Sequence, residues 1–205
     1  MAENYTEEED KLISWFKENY INMIICVAVG IALVLGYNYQ QDNTLNNQYE
    51  ISLKYEKALA SYQEKEYSSI LSLSEELSKT DPGNIYTSLT NLYSAKIHHD
   101  KKEYDKALNS LNHIAKNSKS NEILNIAKLR SARILIYLKR YDEAKDTILS
   151  IENYITQVIP TELLGDVEYY SNNLKEAKKI YQLSLKNEMT PNKRKIIENK
   201  INSIN

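Results

Sequence analysis

One short pattern occurs four times along the chain. KEYSSIL, KEYDKAL, KRYDEAK and NNLKEAK put Tyr67, Tyr104, Tyr141 and Leu174 at equivalent places, 37, 37 and 33 residues apart. A period in this range holds two short helices and their turns, a unit that cannot bury its apolar face alone, so the copies must stack. Nine residues before each anchor stands a small residue, Ala58, Ala95, Ala132 and Gly165, and three after it stand Ile70, Ala107, Ala144 and Ala177. Small side chains in both columns let the two helices of a hairpin approach closely, with the aromatic or Leu wedged at the turn. Ser74, Leu111, Ile148 and Tyr181, then Leu77, Ile114, Ile151 and Ser184, complete an i, i+3, i+7, i+10 stripe on the second helix of each pair. With four Gly and three Pro among 205 residues, a turn-rich β fold is excluded and an all-α fold is predicted.

These columns resemble tetratricopeptide repeats, whose pattern of about 34 residues carries small residues in both helices, an aromatic between them and often a terminal Pro. Pro82 fits that terminal place in the first copy, while Ile70 and Gly165 stand where Ala is usual. Three extra residues in each of the first two periods are expected to lengthen loops such as TDPGN and NSKSN. The last segment, Asn192 to Ile204, sets Lys193, Arg194, Lys195, Glu198 and Lys200 against Ile196, Ile197, Ile201 and Ile204, as a C-terminal capping helix requires. The resemblance implies a right-handed solenoid of about four hairpins plus this cap over residues 49–205.

A second feature divides the chain. No charged residue occurs between Glu18 and Asp42, and Ile21 to Tyr37 reads INMIICVAVGIALVLGY. About 20 helical residues cross a hydrocarbon core of about 30 Å, so residues 20–39 are predicted to be a single transmembrane helix in contact with the lipid bilayer. Tyr20, Tyr37 and Tyr39 stand where an aromatic belt belongs. A buried core helix would carry a polar stripe, which this run lacks. A cleaved signal peptide would begin with basic residues, whereas Glu3, Glu7, Glu8, Glu9 and Asp10 make the lead acidic, with Thr6 as an expected N-cap. Cys26 follows the bulky Ile25, against a lipoprotein site, and as the one cysteine it forms no internal disulfide. Lys11 and Lys17 precede the span and nothing basic follows until Lys54, so residues 1–19 are predicted to be cytoplasmic and everything after the span exported. Residues 40–48, rich in Asn and Gln with no apolar period, are read as a linker, either helical or frayed.

The sequence carries no visible catalytic machinery. Gly30, Gly36, Gly83 and Gly165 stand singly, so there is no phosphate-cradling loop, and neither a nucleophile elbow nor a His-Glu zinc motif occurs. His98 and His99 are adjacent and point about 100° apart on a helix, which prevents joint chelation. No enzyme activity, cofactor or metal is expected. A formal charge of −2 and a pI near 6.0 exclude the basic footprint of a nucleic-acid binder. Seventeen Tyr against one Phe and one Trp favour surfaces whose aromatic groups stay partly wet.

What remains is a binding wall. Transferring the groove-facing positions of tetratricopeptide repeats puts Tyr55, Leu59 and Tyr62 on the concave wall, then Leu92, Lys96 and His99, then Leu129, Arg133 and Ile136, then Glu162, Asp166, Tyr169 and Tyr170. Such a surface suits an extended or helical polypeptide, with apolar contacts from Tyr and Leu and polar ones from Lys96 and Arg133. The alternative role for any of these Tyr and Leu is to seal neighbouring hairpins.

Three blocks carry a closer resemblance. EEEDKLISWFKENY at Glu7 to Tyr20, the GYNYQ exit from the span at Gly36 to Gln40, and LLGDVEYYSNNLKEAKKIYQLSL in the last repeat are similar, in order, to the ancillary subunit of the bacterial SecYEG translocon. Phe16, where that family usually has Trp, Asn38 and the Tyr- and Asn-rich body depart from its pattern. The resemblance implies an inner-membrane protein with a periplasmic repeat domain, partnered by the SecYEG translocon and a membrane-anchored periplasmic prolyl-isomerase-like chaperone. Its expected role is to help pass unfolded secretory clients to periplasmic chaperones. The competing expectation is an anchored scaffold for a cell-envelope assembly or stress-signalling regulator, which would bind one dedicated motif rather than many clients.

Overall fold

The computed structural model describes residues 7–204, and every regular element among them is helical. The expected N-cap Thr6 lies outside the described residues. Helix α1 runs over Glu7–Gln63, 57 residues without a break. It contains an 18-residue window of mean hydropathy 2.2, none of it buried, which makes it long and apolar enough to cross a membrane. Residues 40–48 belong to this same helix. Thr44 and Ser52 each bond a carbonyl of the preceding turn through the hydroxyl, which keeps these polar side chains compatible with helix. The chain divides into two compact units between Leu53 and Lys54.

The second unit begins with the last turns of α1 and continues as α2 (Ser68–Thr80), α3 (Ile85–Asp100), α4 (Tyr104–Asn117), α5 (Asn121–Tyr137), α6 (Tyr141–Leu149), α7 (Val158–Tyr170), α8 (Leu174–Ser184) and α9 (Pro191–Asn202). A 3-10 turn, Tyr154–Thr156, links α6 to α7. Successive helices pair as hairpins, α3 with α4, α5 with α6 and α7 with α8, followed by the cap α9. The small columns lie at the contacts: Ala58, Ala95, Ala132 and Gly165 are buried on the first helices, and Ile70, Ala107, Ala144 and Ala177 are fully buried on the second. Leu111, Ile114, Ile148, Ile151 and Tyr181 follow them into the core as the periodicity requires.

The extra residues of the first two periods are not in loops, contrary to expectation. The connections containing Pro82 and Lys119 span only 81–84 and 118–120, whereas α3 and α5 have 16 and 17 residues against 13 in α7. Three or four residues make nearly one full helical turn, so they lengthen a helix without rotating its buried face. The shorter third period instead combines a nine-residue α6 with the 3-10 connection.

Each turn within a hairpin has the same construction. Lys65, Lys102, Lys139 and Asn172, two residues before the four anchors, hold left-handed backbone with φ of 67°, 62°, 61° and 65°. At the second copy the N–H of Lys102 donates to the carbonyl of His99 and that of Glu103 to His98, both at 2.8 Å, and the other three copies repeat the pattern. This paired closure of the helix end satisfies two otherwise orphaned carbonyls. The anchors are therefore the first residues of the following helix or its cap, and Leu174 is 41% exposed.

Candidate functional site

Side chains of three registers recur on the first helices, and the repeat spacing aligns them: Tyr55, Leu92, Leu129 and Glu162; Leu59, Lys96, Arg133 and Asp166; Tyr62, His99, Ile136 and Tyr169. Within this wall the structure distinguishes four groups. Leu92, Leu129 and Ile136 are half-buried and pack against the main core, so they seal hairpins while keeping part of their surface open. Leu59 is half-buried as well.

The aromatic group gathers at the start of the wall. Tyr62 meets Tyr93 at 4.8 Å and Tyr67 at 5.3 Å between ring centroids, and Tyr55 meets Tyr86 at 5.3 Å. Burial, reinforced by the neighbouring Tyr93 hydroxyl, pushes the Tyr55 phenol up to about 12. Tyr93, Tyr86 and Tyr67 were not among the sequence-predicted site residues. Tyr93 directly follows the wall residue Leu92, Tyr86 precedes it by six residues and Tyr67 lies across the hairpin turn from Tyr62, and only their clustering with Tyr55 and Tyr62 reveals the connection.

The basic group occupies the middle of the wall. Lys96, His99 and Arg133 are exposed and, with Arg130, rim a cavity of about 200 Å3 between α3 and α5, floored by Ala95, Leu111 and Ile134. The Lys96 ammonium lies 6.0 Å from the centroid of Tyr62, the outer limit of a cation–π contact. His99 stacks edge-on against Tyr104 at 5.6 Å, and its Nδ1 is 3.4 Å from the Asp100 carboxylate. His98 turns away to Glu103 at 2.6 Å, in keeping with the divergence expected of adjacent helical residues.

In the last repeat the wall is covered by the chain itself. Lys200 on α9 donates to Glu162 at 2.8 Å and to both oxygens of Asp166 at 2.6 and 2.9 Å, and Lys193 also pairs with Glu162. Tyr181 donates to Asp166 at 2.6 Å. Burial opposes charge on Glu162, but the two lysines outweigh it and hold the carboxyl below its ordinary value. Burial likewise works against the Lys200 ammonium, and its hydrogen bonds to Asp166 and Glu162 prevail and raise it. Glu162 and Asp166 are thus engaged within the chain, Tyr169 packs against the α8–α9 cluster, and Tyr170 remains exposed beside it at 5.4 Å. Of the predicted wall residues in the last repeat, Tyr170 is the one whose side chain stays exposed.

Among the described residues no group of three or more His, Cys, Asp or Glu side chains is placed to hold a metal ion. An open depression of about 870 Å3 lies elsewhere, lined by Leu149, Leu164 and Ile180 and crossed by the Lys145–Glu168 pair, and includes none of the predicted wall residues.

Comparison with known proteins agrees with this architecture. The chain is similar to an ancillary SecYEG translocon subunit of Aggregatibacter actinomycetemcomitans, 35% identical over 63 residues, which cover 29% of this chain and 31% of that protein. The match therefore spans about a third of the relative's length. No solved structure matches the chain. The model of the tetratricopeptide repeat-like domain matches residues 13–205, and with the columns and hairpins described above the chain belongs to that family.

Proposed function

We propose that the protein is a non-catalytic accessory subunit of the bacterial Sec translocon, held in the inner membrane by residues 20–39 and binding polypeptide segments on its first-helix wall. The observation that carries this reading is the middle of that wall, where exposed Lys96, His99 and Arg133 stand beside the partly open Leu92 and Leu129. Partly open apolar groups with separated charges suit chain recognition, the former for affinity and the latter for register. The similarity to a translocon subunit supports the translocon as the partner. The N-terminal segment is cytoplasmic and the repeat domain periplasmic, following Lys11 and Lys17 against a bare exit side. Tethering beside a translocon exit raises the effective client concentration toward the millimolar range expected for short linkers, which compensates for modest intrinsic affinity. Clients pass from there to periplasmic chaperones, a membrane-anchored prolyl-isomerase-like chaperone among them.

Purification of the intact protein from mild detergent, with its neighbours identified by mass spectrometry, tests the assignment. Translocon components should co-purify, and their absence beside a different envelope complex would favour a dedicated scaffold. Protease added to intact spheroplasts should digest the repeat domain; its survival while known periplasmic domains are cut would reverse the orientation.

A further inference from the structure

We infer that the cavity between α3 and α5 takes an acidic polypeptide segment that carries an apolar side chain. The inference rests on the first-helix wall being the protein-binding surface and specifies the chemistry it selects. Three observations converge on it.

The first is shape and lining. About 200 Å3 is several times the roughly 30 Å3 share of one water molecule, enough to admit a side chain. The floor, Ala95, Leu111 and Ile134, is apolar, so an aliphatic or aromatic group fits it better than water does. The second is charge. Lys96 and Arg133 occupy the same repeat position 37 residues apart, so stacking brings both to the rim of one cavity, joined by Arg130. Among the described residues none of these three cations forms an ion pair; Arg130 donates only to the carbonyl of Leu92 at 3.5 Å, and Lys96 rests near the Tyr62 ring.

The third observation is how the same register is treated one repeat later. There it carries Asp166, and α9 provides Lys200 to neutralise it. Where the wall is acidic the chain covers it with its own basic amphipathic helix. Where the wall is basic no carboxylate of the described chain pairs with Lys96, Arg130 or Arg133. The complement of the exposed stretch is a segment of opposite sign, with carboxylates placed for Lys96, Arg130 and Arg133 and an apolar residue between them. Opposite charge governs selectivity and encounter more than raw affinity, so the preference should weaken with salt while apolar anchoring persists.

The test uses the full-length protein in nanodiscs of zwitterionic lipid. The probe is a fluorescein-labelled ten-residue peptide with four Glu flanking two Leu, compared by fluorescence anisotropy with versions carrying Gln for Glu, Lys for Glu, or Ser for Leu. The Glu–Leu peptide should bind at least about tenfold tighter than the Gln–Leu peptide, and the Ser version should bind weakly. Arg133→Glu should abolish the difference between the Glu and Gln peptides, and Lys96→Glu, made separately, should do the same. Both side chains are exposed, and an unchanged circular dichroism melt confirms that each variant is folded. If the Glu and Gln peptides bind equally and both are lost in Leu129→Ser, the wall binds chains without acidic preference and the inference is overturned while the functional reading stands. If the Glu peptide binds but neither charge reversal weakens it, the cavity is not its site. If no peptide binds at any composition, both the inference and the reading beneath it fall.

Discussion

The second and fourth hairpins share a backbone plan and are closed by different chemistry. In the second, Ala95 on α3 and Ala107 and Leu111 on α4 are buried in one apolar cluster. In the fourth, the position of Ala95 is Gly165 and the position of Leu111 is Tyr181, whose ring would lie 2.4 Å from a Cβ placed on the glycine. The larger side chain on one helix is matched by the smaller on the other, so the gap between them is kept. The aromatic ring also brings a hydroxyl into the core, which must be hydrogen-bonded, and Asp166 accepts it. That carboxylate in turn needs Lys200. One exchange of Leu-type for Tyr packing thus accompanies an ionic closure by α9 in the fourth hairpin, whereas in the second the same place is filled by the apolar Leu111 and the neighbouring Lys96 faces solvent.

Breaking the size match should have the largest effect. Gly165→Ala pushes a methyl into a buried ring anchored at its hydroxyl, and overpacking of about 1–3 kcal/mol set against the helix-propensity gain of about 1 kcal/mol gives a net loss of up to about 2 kcal/mol in urea unfolding. Gly165→Ala combined with Tyr181→Leu restores the pairing of the second hairpin and should recover most of that loss. Strict additivity of the two changes would contradict the match.

Next comes the ionic closure. Lys200→Met leaves Asp166 and Glu162 short of a partner; because the lysine is 30% exposed, the cost should be about 1–2 kcal/mol, below the range for fully buried pairs. The pH response follows from the same groups. Glu162 titrates below its ordinary value when folded, so its stabilising contribution is present above that value and is lost as pH falls through the lowered one. Lys200 titrates above its ordinary value, so its contribution is intact below that value and disappears as pH rises through the raised one. Amide exchange at Ile197 and Ile201 of α9 should therefore accelerate at both extremes before exchange at Ile134 of α5 does. Simultaneous loss in both helices would argue against a separate ionic closure.

The smallest effect distinguishes turn from core. Lys139 holds left-handed backbone, which costs a side-chain-bearing residue about 1–2 kcal/mol, so Lys139→Gly should stabilise the domain by up to about 1 kcal/mol after the entropic cost of glycine. A destabilised variant would mean that the lysine side chain, and not the turn geometry, is what the position needs.

These regions also differ in how far they can be read from sequence. The small columns and the Leu111 and Ile148 stripe are legible because size and spacing are local properties, repeated four times. The left-handed turns escape notice because no glycine marks Lys65, Lys102, Lys139 or Asn172, and the closure is a backbone pattern. The continuity of α1 through residues 40–48 is equally silent, since Asn- and Gln-rich sequence has no apolar period to reveal a helix. At the site, the registers bring Lys96 and Arg133 together as the repeat implies. The sequestration of Glu162 and Asp166 is not legible, because Lys200 lies 38 residues from Glu162 and only the docking of α9 joins them.

Photo-crosslinking in cells tests most directly whether the first-helix wall is the working surface. A crosslinking amino acid at Tyr62 or at Leu129 should capture translocon, chaperone or nascent secretory chains, while one at Lys106 or Asn109, exposed on α4, should not. Equal capture from both sets of positions, or capture only from within residues 20–39, would show that the wall is not where this protein meets its partners.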